Sequence, residues 1–240
     1  MHNKLSHSLE HEYWKKVIFK KMLKYSDIIL THSNEGITYG NEIVPGSEKK
    51  IHFFHHPIKD KRLSEKLSKE YDLLIWGTIS PYKGIDKFLE YIHQNKLEKR
   101  FRILIVGKIT SNDYQKKLEQ YKSEYILIKN KFIEDALLQQ LIAKSKLVLF
   151  TYSQSSILSS GVLMDSLGYG ANIIGPDTGA FADLAKEGII NTYSDFTDMF
   201  KIIDEQLKDE NKIIPKEKSN KFLEDNSWNK FAENLSILLK

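Results

Sequence analysis

The stretch "LLIWGTISPYKGIDKFLEYI", residues 73–92, passes from an apolar run through a polar turn into an amphipathic segment. The apolar run is typical of a strand that is covered on both faces of a parallel sheet. The turn contains Gly77, Pro81 and the pair Lys83-Gly84 at the point where a helix begins. Amide groups at a helix start, together with a lysine ammonium, can bind phosphate. The stretch therefore predicts a strand, an anion-binding turn and a helix.

The spacing of this turn excludes two common nucleotide-binding motifs. It contains neither Gly-x-x-x-x-Gly-Lys-[Ser/Thr] nor Gly-x-Gly-x-x-Gly, so a P-loop triphosphatase and a common NAD enzyme are both disfavoured. Spacing alone leaves two interpretations open: a phosphate site, or an ordinary turn whose lysine is solvated.

Similar apolar runs recur and alternate with segments of helical spacing. The predicted strands are 27–33, 50–57, 71–77, 101–107, 125–129, 146–152, 171–175 and 188–193. The predicted helices are 85–95, 112–122, 133–144, 162–169 and 181–186, followed by 215–224 and 228–239. Alternation of this kind predicts βαβ units. The fold class is therefore α/β, a doubly wound, Rossmann-like parallel sheet of about six strands whose ligands bind at the carboxyl ends of the strands.

A polar, lysine-rich segment, residues 58–69, separates the first two strands from this sheet. We therefore expect two units. Residues 1–60 form a small N-terminal remnant, and residues 70–240 form the ligand-binding domain with the C-terminal helices.

Composition narrows the classes of function. The 240 residues contain no cysteine, which excludes disulfides and thiolate metal sites and favours a reducing compartment. The net charge of +4 is modest for a nucleic-acid-binding protein of this size, so no nucleic-acid partner is expected. No apolar run reaches the roughly 20 residues that span a bilayer, and no signal peptide is recognisable. We therefore expect a cytoplasmic protein.

The basic segment 13–25 adds a second expectation about location. On a helix, one broad face carries Trp14, Val17, Ile18, Met22 and Tyr25. The lysines, which spread around the rest, are Lys15, Lys16, Lys20, Lys21 and Lys24. This pattern indicates either weak peripheral contact with the inner face of a membrane or a surface helix that packs on the domain through its apolar face.

Two later turns strengthen the phosphate interpretation. In "FTYSQSSILSSGVLMDSLGYG", Ser159, Ser160 and Gly161 open a helix that carries Asp165, which could accept hydrogen bonds from ribose hydroxyls. Taken singly, Ser160 is an ordinary helix cap and Asp165 an acid near a helix start. The turn "GPDTGAFADL", residues 175–184, again precedes a helix. Because these turns follow strands of one sheet, their coincidence favours a nucleotide site.

Several pieces of the sequence resemble the nucleotide-sugar-binding half of retaining GT-B glycosyltransferases of the group 1 (family 4) type. They are "WGTISPYKG", "RILIVG", "KLVLFTYSQSS", "SSGVLMDSLGYGANIIGPDTGAFADL" and "SWNKFAENL". Upstream, "HNKLSHSLEH" and "YSDIILTHS" resemble the last part of the acceptor-binding half. The resemblance implies transfer of a sugar from a nucleoside diphosphate sugar to an acceptor hydroxyl, with most of the acceptor-binding half absent.

The resemblance also assigns roles to single residues. Gly77 and Lys83 match the family's donor-diphosphate loop, but Thr78 stands where the family has an arginine. Asp165 matches the second of two glutamates, the one that holds the donor ribose. Ile157 occupies the position of the first glutamate, so that acid is missing or displaced.

Other implied features complete the expected site. His2 matches a histidine that reaches the transferred sugar, and Gly179 to Asp183 resembles a Gly-Gly-x-x-Glu motif. The expected catalytic residues are thus His2 and Lys83. The family generally needs no metal or other cofactor, and the adjacent His55 and His56 point to opposite faces of a strand, which disfavours a metal site. A glycan or lipid-linked acceptor is expected.

Two rival classes stay open. A non-catalytic or partner-dependent nucleotide-sugar-binding module would account for the missing arginine and glutamate. A different α/β nucleotide binder, such as a GT-B epimerase or a flavodoxin-like module, would need a set of acids and a histidine in its cleft, and the sequence offers no such set.

Overall fold

A computed structural model describes residues 12–152, 158–208 and 215–240. The sequence-derived candidates His2 and Ile157 lie outside these residues. The strands are β1 (Ile29–Thr31), β2 (Ile51–Phe53), β3 (Tyr71–Trp76), β4 (Ile103–Gly107), β5 (Ile126–Asn130), β6 (Ser145–Leu149), β7 (Ile173–Pro176) and β8 (Asn191–Tyr193). The α-helices are α1 (Glu12–Tyr25), α2 (Asn34–Ile43), α3 (Ile85–Gln94), α4 (Asn112–Glu119), α5 (Asp135–Ala143), α6 (Gly161–Gly168), α7 (Gly179–Lys186), α8 (Phe196–Lys208), α9 (Lys216–Asp225) and α10 (Trp228–Leu238).

Six strands form one parallel sheet in the order β5-β4-β3-β6-β7-β8. The chain builds outward from β3 through β4 to β5, returns to β6 beside β3, and then builds in the other direction. The point of reversal lies between β3 and β6, where sheets of this class bind their ligands at the carboxyl ends of the strands. The predicted fold class, an α/β doubly wound sheet of six strands, is confirmed.

Helices cover both faces of the sheet. Leu74, Leu104 and Val148 pack with helices α5, α6, α7 and α9 on one face. Their neighbours Leu73 and Ile105 pack with α3, α4 and α8 on the other. Because successive strand residues point to opposite faces, strands buried on both sides need the continuous apolar runs seen in the sequence.

The first two strands form a separate parallel pair, β1–β2, joined through α2. The last helix, α10, packs against this pair, with the Phe231 ring 5.9 Å from Phe54 and 6.4 Å from His32. The C-terminal helix therefore packs against the N-terminal segment.

Helix α1 does not pack on the domain through the broad apolar face that carries Trp14 and Tyr25. Leu23 is buried and Phe19 stacks on Tyr39, whereas Trp14, Ile18, Met22 and Tyr25 are exposed. The interpretation that α1 packs through its broad apolar face is therefore wrong, because a narrower face centred on Leu23 makes the contact. No helix in the described ranges combines the length and the apolarity that crossing a bilayer requires.

Candidate functional site

The loop after β3 is held against the end of β4. Gly77 has a φ of 94°, a conformation that favours glycine. A Cβ atom at Gly107 would lie 1.9 Å from the Gly77 carbonyl oxygen, so only glycine allows the two loops to approach this closely. Beyond Gly77, the Ile79 amide donates to the Lys108 carbonyl at 2.8 Å. These contacts fix the backbone that leads to Lys83.

Lys83 is a buried cation. It ends a short 3-10 helix, Pro81–Lys83, and is 4% exposed. Its Nζ lies 3.5 Å from the Trp76 carbonyl oxygen and 5.7 Å from the centre of the Tyr152 ring. None of the carboxylates in the described part of the chain forms an ion pair with it. Burial lowers the pKa of Lys83 to about 8, because the low-dielectric surroundings disfavour its charged form.

The loops after β3 and β6 are joined directly. The Thr151 hydroxyl, just beyond β6, donates to the Lys83 carbonyl at 2.7 Å. A Cβ atom at Gly77 would lie 3.2 Å from Lys83 Nζ and 3.3 Å from a methyl carbon of Val162 in the first turn of α6. Gly77, Lys83 and the start of α6 therefore meet at the point where the strand order reverses, as the sequence predicts.

The start of α6 carries the predicted serines. Ser160 is the N-cap, and its Oγ accepts a hydrogen bond from the Leu163 amide at 3.3 Å. The amides of Gly161 and Val162, in the first turn, point toward the helix start and have no acceptor within the helix. Ser159 is buried, and among the described residues its hydroxyl has no hydrogen-bond partner. This end of α6 can donate to an anion.

Two tyrosines that the sequence analysis did not single out wall the site. The Tyr152 and Tyr82 rings stack with an interplanar angle of 11° and centres 5.9 Å apart. The Tyr152 hydroxyl lies 3.5 Å from Ser160 Oγ. Tyr152 ends a predicted strand, and that position beside the loop was the one signal in the sequence that could have identified it.

Two predicted residues lie at the margin of this cluster. Thr78 is exposed on the loop between Gly77 and Ile79. Asp165 is exposed on α6, and partial burial of its carboxyl group raises its pKa, while the positive charge of Lys61 opposes the change. No hydrogen bond or ion pair in the described residues joins Asp165 to Lys83, so the direct contacts of the cluster connect Gly77, Lys83 and the start of α6 and do not include Asp165.

The third predicted turn is occupied by the N-terminal segment. The Gly179 amide, at the start of α7, donates to a Glu35 carboxylate oxygen at 2.8 Å, and the same oxygen lies 3.2 Å from the Thr178 hydroxyl. In return, the Asp183 carboxylate accepts from the Asn34 amide at 2.7 Å and its side chain at 3.1 Å. The Gly179 amide therefore binds a carboxylate of the protein, while the centre of the Phe181 ring in the same turn lies 6.0 Å from the centre of the Tyr152 ring.

In the part of the chain that the structure describes, no group of potential metal ligands accompanies the cluster. His55 lies 2.8 Å from Glu187, and the described residues contain no set of three His, Cys, Asp or Glu side chains placed to hold a metal ion.

The chain matches no protein-family model. It matches no curated protein. Solved structures do match its fold. Anabaena HepE, solved with UDP and glucose, aligns with a TM-score of 0.72 at 16% identity over 92% of this chain and 66% of that one. Sucrose-phosphate synthase of Thermosynechococcus elongatus aligns with a TM-score of 0.77 at 13% identity over 98% of this chain and 63% of that one. Staphylococcus aureus TarM, solved with fondaparinux, alpha-GlcNAc-glycerol and UDP, aligns with a TM-score of 0.73 at 13% identity over 99% of this chain and 49% of that one.

These matches confirm the GT-B fold recognised in the sequence. The chain spans about two thirds or less of each of these three glycosyltransferase chains, so it corresponds to part of a GT-B fold.

Proposed function

We propose that this chain is the donor-binding part of a retaining glycosyltransferase of the family 4 type, which transfers a sugar from a nucleoside diphosphate sugar to an acceptor hydroxyl. The observation that carries the proposal is Lys83, a buried ammonium without a carboxylate partner among the described residues. Burying an unpaired charge costs several kcal/mol unless an opposite charge compensates it. A diphosphate bound between Lys83 and the start of α6 would supply that charge.

The same groups account for the chemistry. When the donor sugar departs, negative charge grows on the leaving diphosphate, and groups that bind this charge more strongly in the transition state accelerate the reaction. Lys83 supplies one positive charge, and Ser159, Ser160 and Gly161 supply donors at the start of α6. Gly77 allows the backbone to approach the phosphates, with Thr78 beside it.

The remaining roles complete the proposal. Asp165 accepts from the donor ribose, and His2 reaches the transferred sugar. We assign no metal or other cofactor, as the resemblance implies, and Lys83 and the donors at the start of α6 stabilise part of the charge on the leaving group.

The acceptor side and the location are also part of the proposal. We assign a glycan or lipid-linked acceptor and a cytoplasmic location. The exposed aromatic and apolar side chains of α1, flanked by lysines, favour weak contact with the inner face of a membrane.

One alternative has specific support. Because Thr78 replaces an arginine and Ile157 stands where the family has a glutamate, the alternative is a non-catalytic or partner-dependent nucleotide-sugar-binding module. Such a module would bind the donor and transfer no sugar by itself.

Ligand binding and turnover test the proposal in one series. We expect UDP or GDP at millimolar concentration to raise the melting temperature, whereas uridine or guanosine has a smaller effect because it lacks phosphate. Absence of a shift with either diphosphate would rule out a donor site. A second assay measures the nucleoside diphosphate that is released from UDP-glucose or a GDP-sugar by hydrolysis or transfer. Release of diphosphate indicates the enzyme, and binding without release indicates the non-catalytic module.

A further inference from the structure

Tyr152 lies at the centre of the cluster. It is 5% exposed and its ring contacts Lys83, Tyr82 and Phe150. The ring face toward the ammonium offers a weak cation–π contact in place of a carboxylate. The ring therefore lies beside Lys83, a buried cation of the site.

The hydroxyl group of Tyr152 is only loosely bonded. Its contact with Ser160 Oγ, at 3.5 Å, is at the outer limit for a hydrogen bond between hydroxyl groups. Ser160 Oγ also accepts from the Leu163 amide. A buried phenol normally has a shorter bond, as Tyr193 does, whose hydroxyl donates to the Phe150 carbonyl at 2.9 Å. Tyr152 thus retains a donor beside the amides at the start of α6.

We propose that Tyr152 is a phosphate-binding residue of the donor site, its O–H donating to a phosphate oxygen held between Lys83 and the start of α6. This inference rests on the proposed function. The site has one cation for a ligand that carries at least two negative charges, because Thr78 supplies none. A neutral donor at Tyr152 adds the missing contact without adding a second buried charge. Burial raises the pKa of Tyr152, so the phenol keeps its proton at neutral pH.

A pair of single-atom variants tests the proposal. Tyr152→Phe keeps the ring and removes only the oxygen, and Tyr193→Phe does the same at a hydroxyl that bonds to the backbone. Calorimetric titration with UDP and with uridine should show that Tyr152→Phe weakens UDP binding about tenfold, as expected for loss of one charge-assisted bond. Uridine affinity should not change. Tyr193→Phe should lower the melting temperature and leave the affinity for UDP unchanged.

The contrary results are distinct. If Tyr152→Phe binds UDP as the unaltered chain does, or loses affinity for UDP and uridine equally, the hydroxyl has no role in phosphate binding. In either case the proposed function stands as long as the unaltered chain binds UDP. If the unaltered chain binds neither UDP nor GDP, the donor site fails and Tyr152 fails with it.

Discussion

Two lysines of this protein each lie beside a tyrosine ring, and they differ in whether a carboxylate of the described residues pairs with them. Lys61 Nζ is 5.0 Å from the centre of the Tyr169 ring and 2.9 Å from an Asp135 carboxylate oxygen. Lys83 Nζ is 5.7 Å from the centre of the Tyr152 ring, and none of the described carboxylates pairs with it. The hydrogen bond with Asp135 raises the pKa of Lys61, whereas burial lowers that of Lys83 to about 8.

The difference separates a lysine that is paired within the chain from the lysine that we propose binds the donor. The surface ion pair of Lys61 is completed within the chain and contributes little to stability, as exposed pairs generally do. The buried ammonium of Lys83 costs free energy in the unliganded protein. A fold keeps such a group when a ligand provides the opposite charge, and strongly perturbed lysines in clefts are for this reason candidates for binding sites.

Replacing each lysine in turn should give the largest difference in UDP affinity between two variants. Lys83→Ala should weaken UDP binding about 10- to 100-fold, because one charge-assisted hydrogen bond contributes about 1.5 to 3 kcal/mol. Lys61→Ala should change it less than about twofold, because its charge is already paired at the surface. Isothermal titration calorimetry measures both. Equal losses in the two variants would mean that the effect is one of general charge and not of a site.

The pH dependence of UDP binding should follow Lys83. Below a pKa of about 8 the ammonium is present, so affinity is constant; above it, binding requires the site to take up a proton. Affinity should therefore fall as pH rises, by about tenfold between pH 7 and pH 9. Titrations at four pH values give the profile, and Lys83→Ala should flatten it. A profile that persists in Lys83→Ala would assign the titration to another group.

Adding the second cation should strengthen the site. Thr78 is exposed on the loop beside Gly77, so a longer side chain can be accommodated there. Thr78→Arg should tighten UDP binding about fivefold, somewhat less than a buried charge-assisted contact because solvent screens the new charge. Thr78→Gln, which adds a shorter polar side chain without charge, is the control. If glutamine gives the same gain, the added charge is not the cause.

Much of the fold was predictable because its main signal is local. From β3 onward the strands are nearly continuous apolar runs, and each predicted strand is present with slightly different ends. Helix α2 was not assigned, because Gly36 and Gly40 break its apolar pattern, although Ser33 caps it by accepting from the Gly36 amide. Helix α8 was not assigned either, although the spacing of Met199, Phe200 and Ile203 is helical.

The site was predictable where topology alone decides it. Because the carboxyl ends of β3 and β6 meet, the turns that contain Gly77, Lys83 and Ser160 had to converge. The contact of Glu35 with Gly179 could not be derived, because it joins the starts of two helices, α2 and α7, at positions 144 residues apart. The prediction of which face of α1 packs on the domain was wrong for a similar reason. Helical spacing shows which residues share a face, and only the tertiary structure shows which face is covered.

The smallest expected effect concerns stability without ligand. Replacing Lys83 by methionine removes a buried charge and keeps a side chain of similar length, so the unliganded protein should gain about 1 kcal/mol, or a few degrees in melting temperature. Lys61→Met should give no gain, because it breaks a surface pair. Differential scanning calorimetry with and without UDP measures the difference. A clear destabilisation by Lys83→Met would show that the ammonium stabilises the loop in the unliganded protein. The difference between Lys83 and Lys61 would then rest on UDP binding alone.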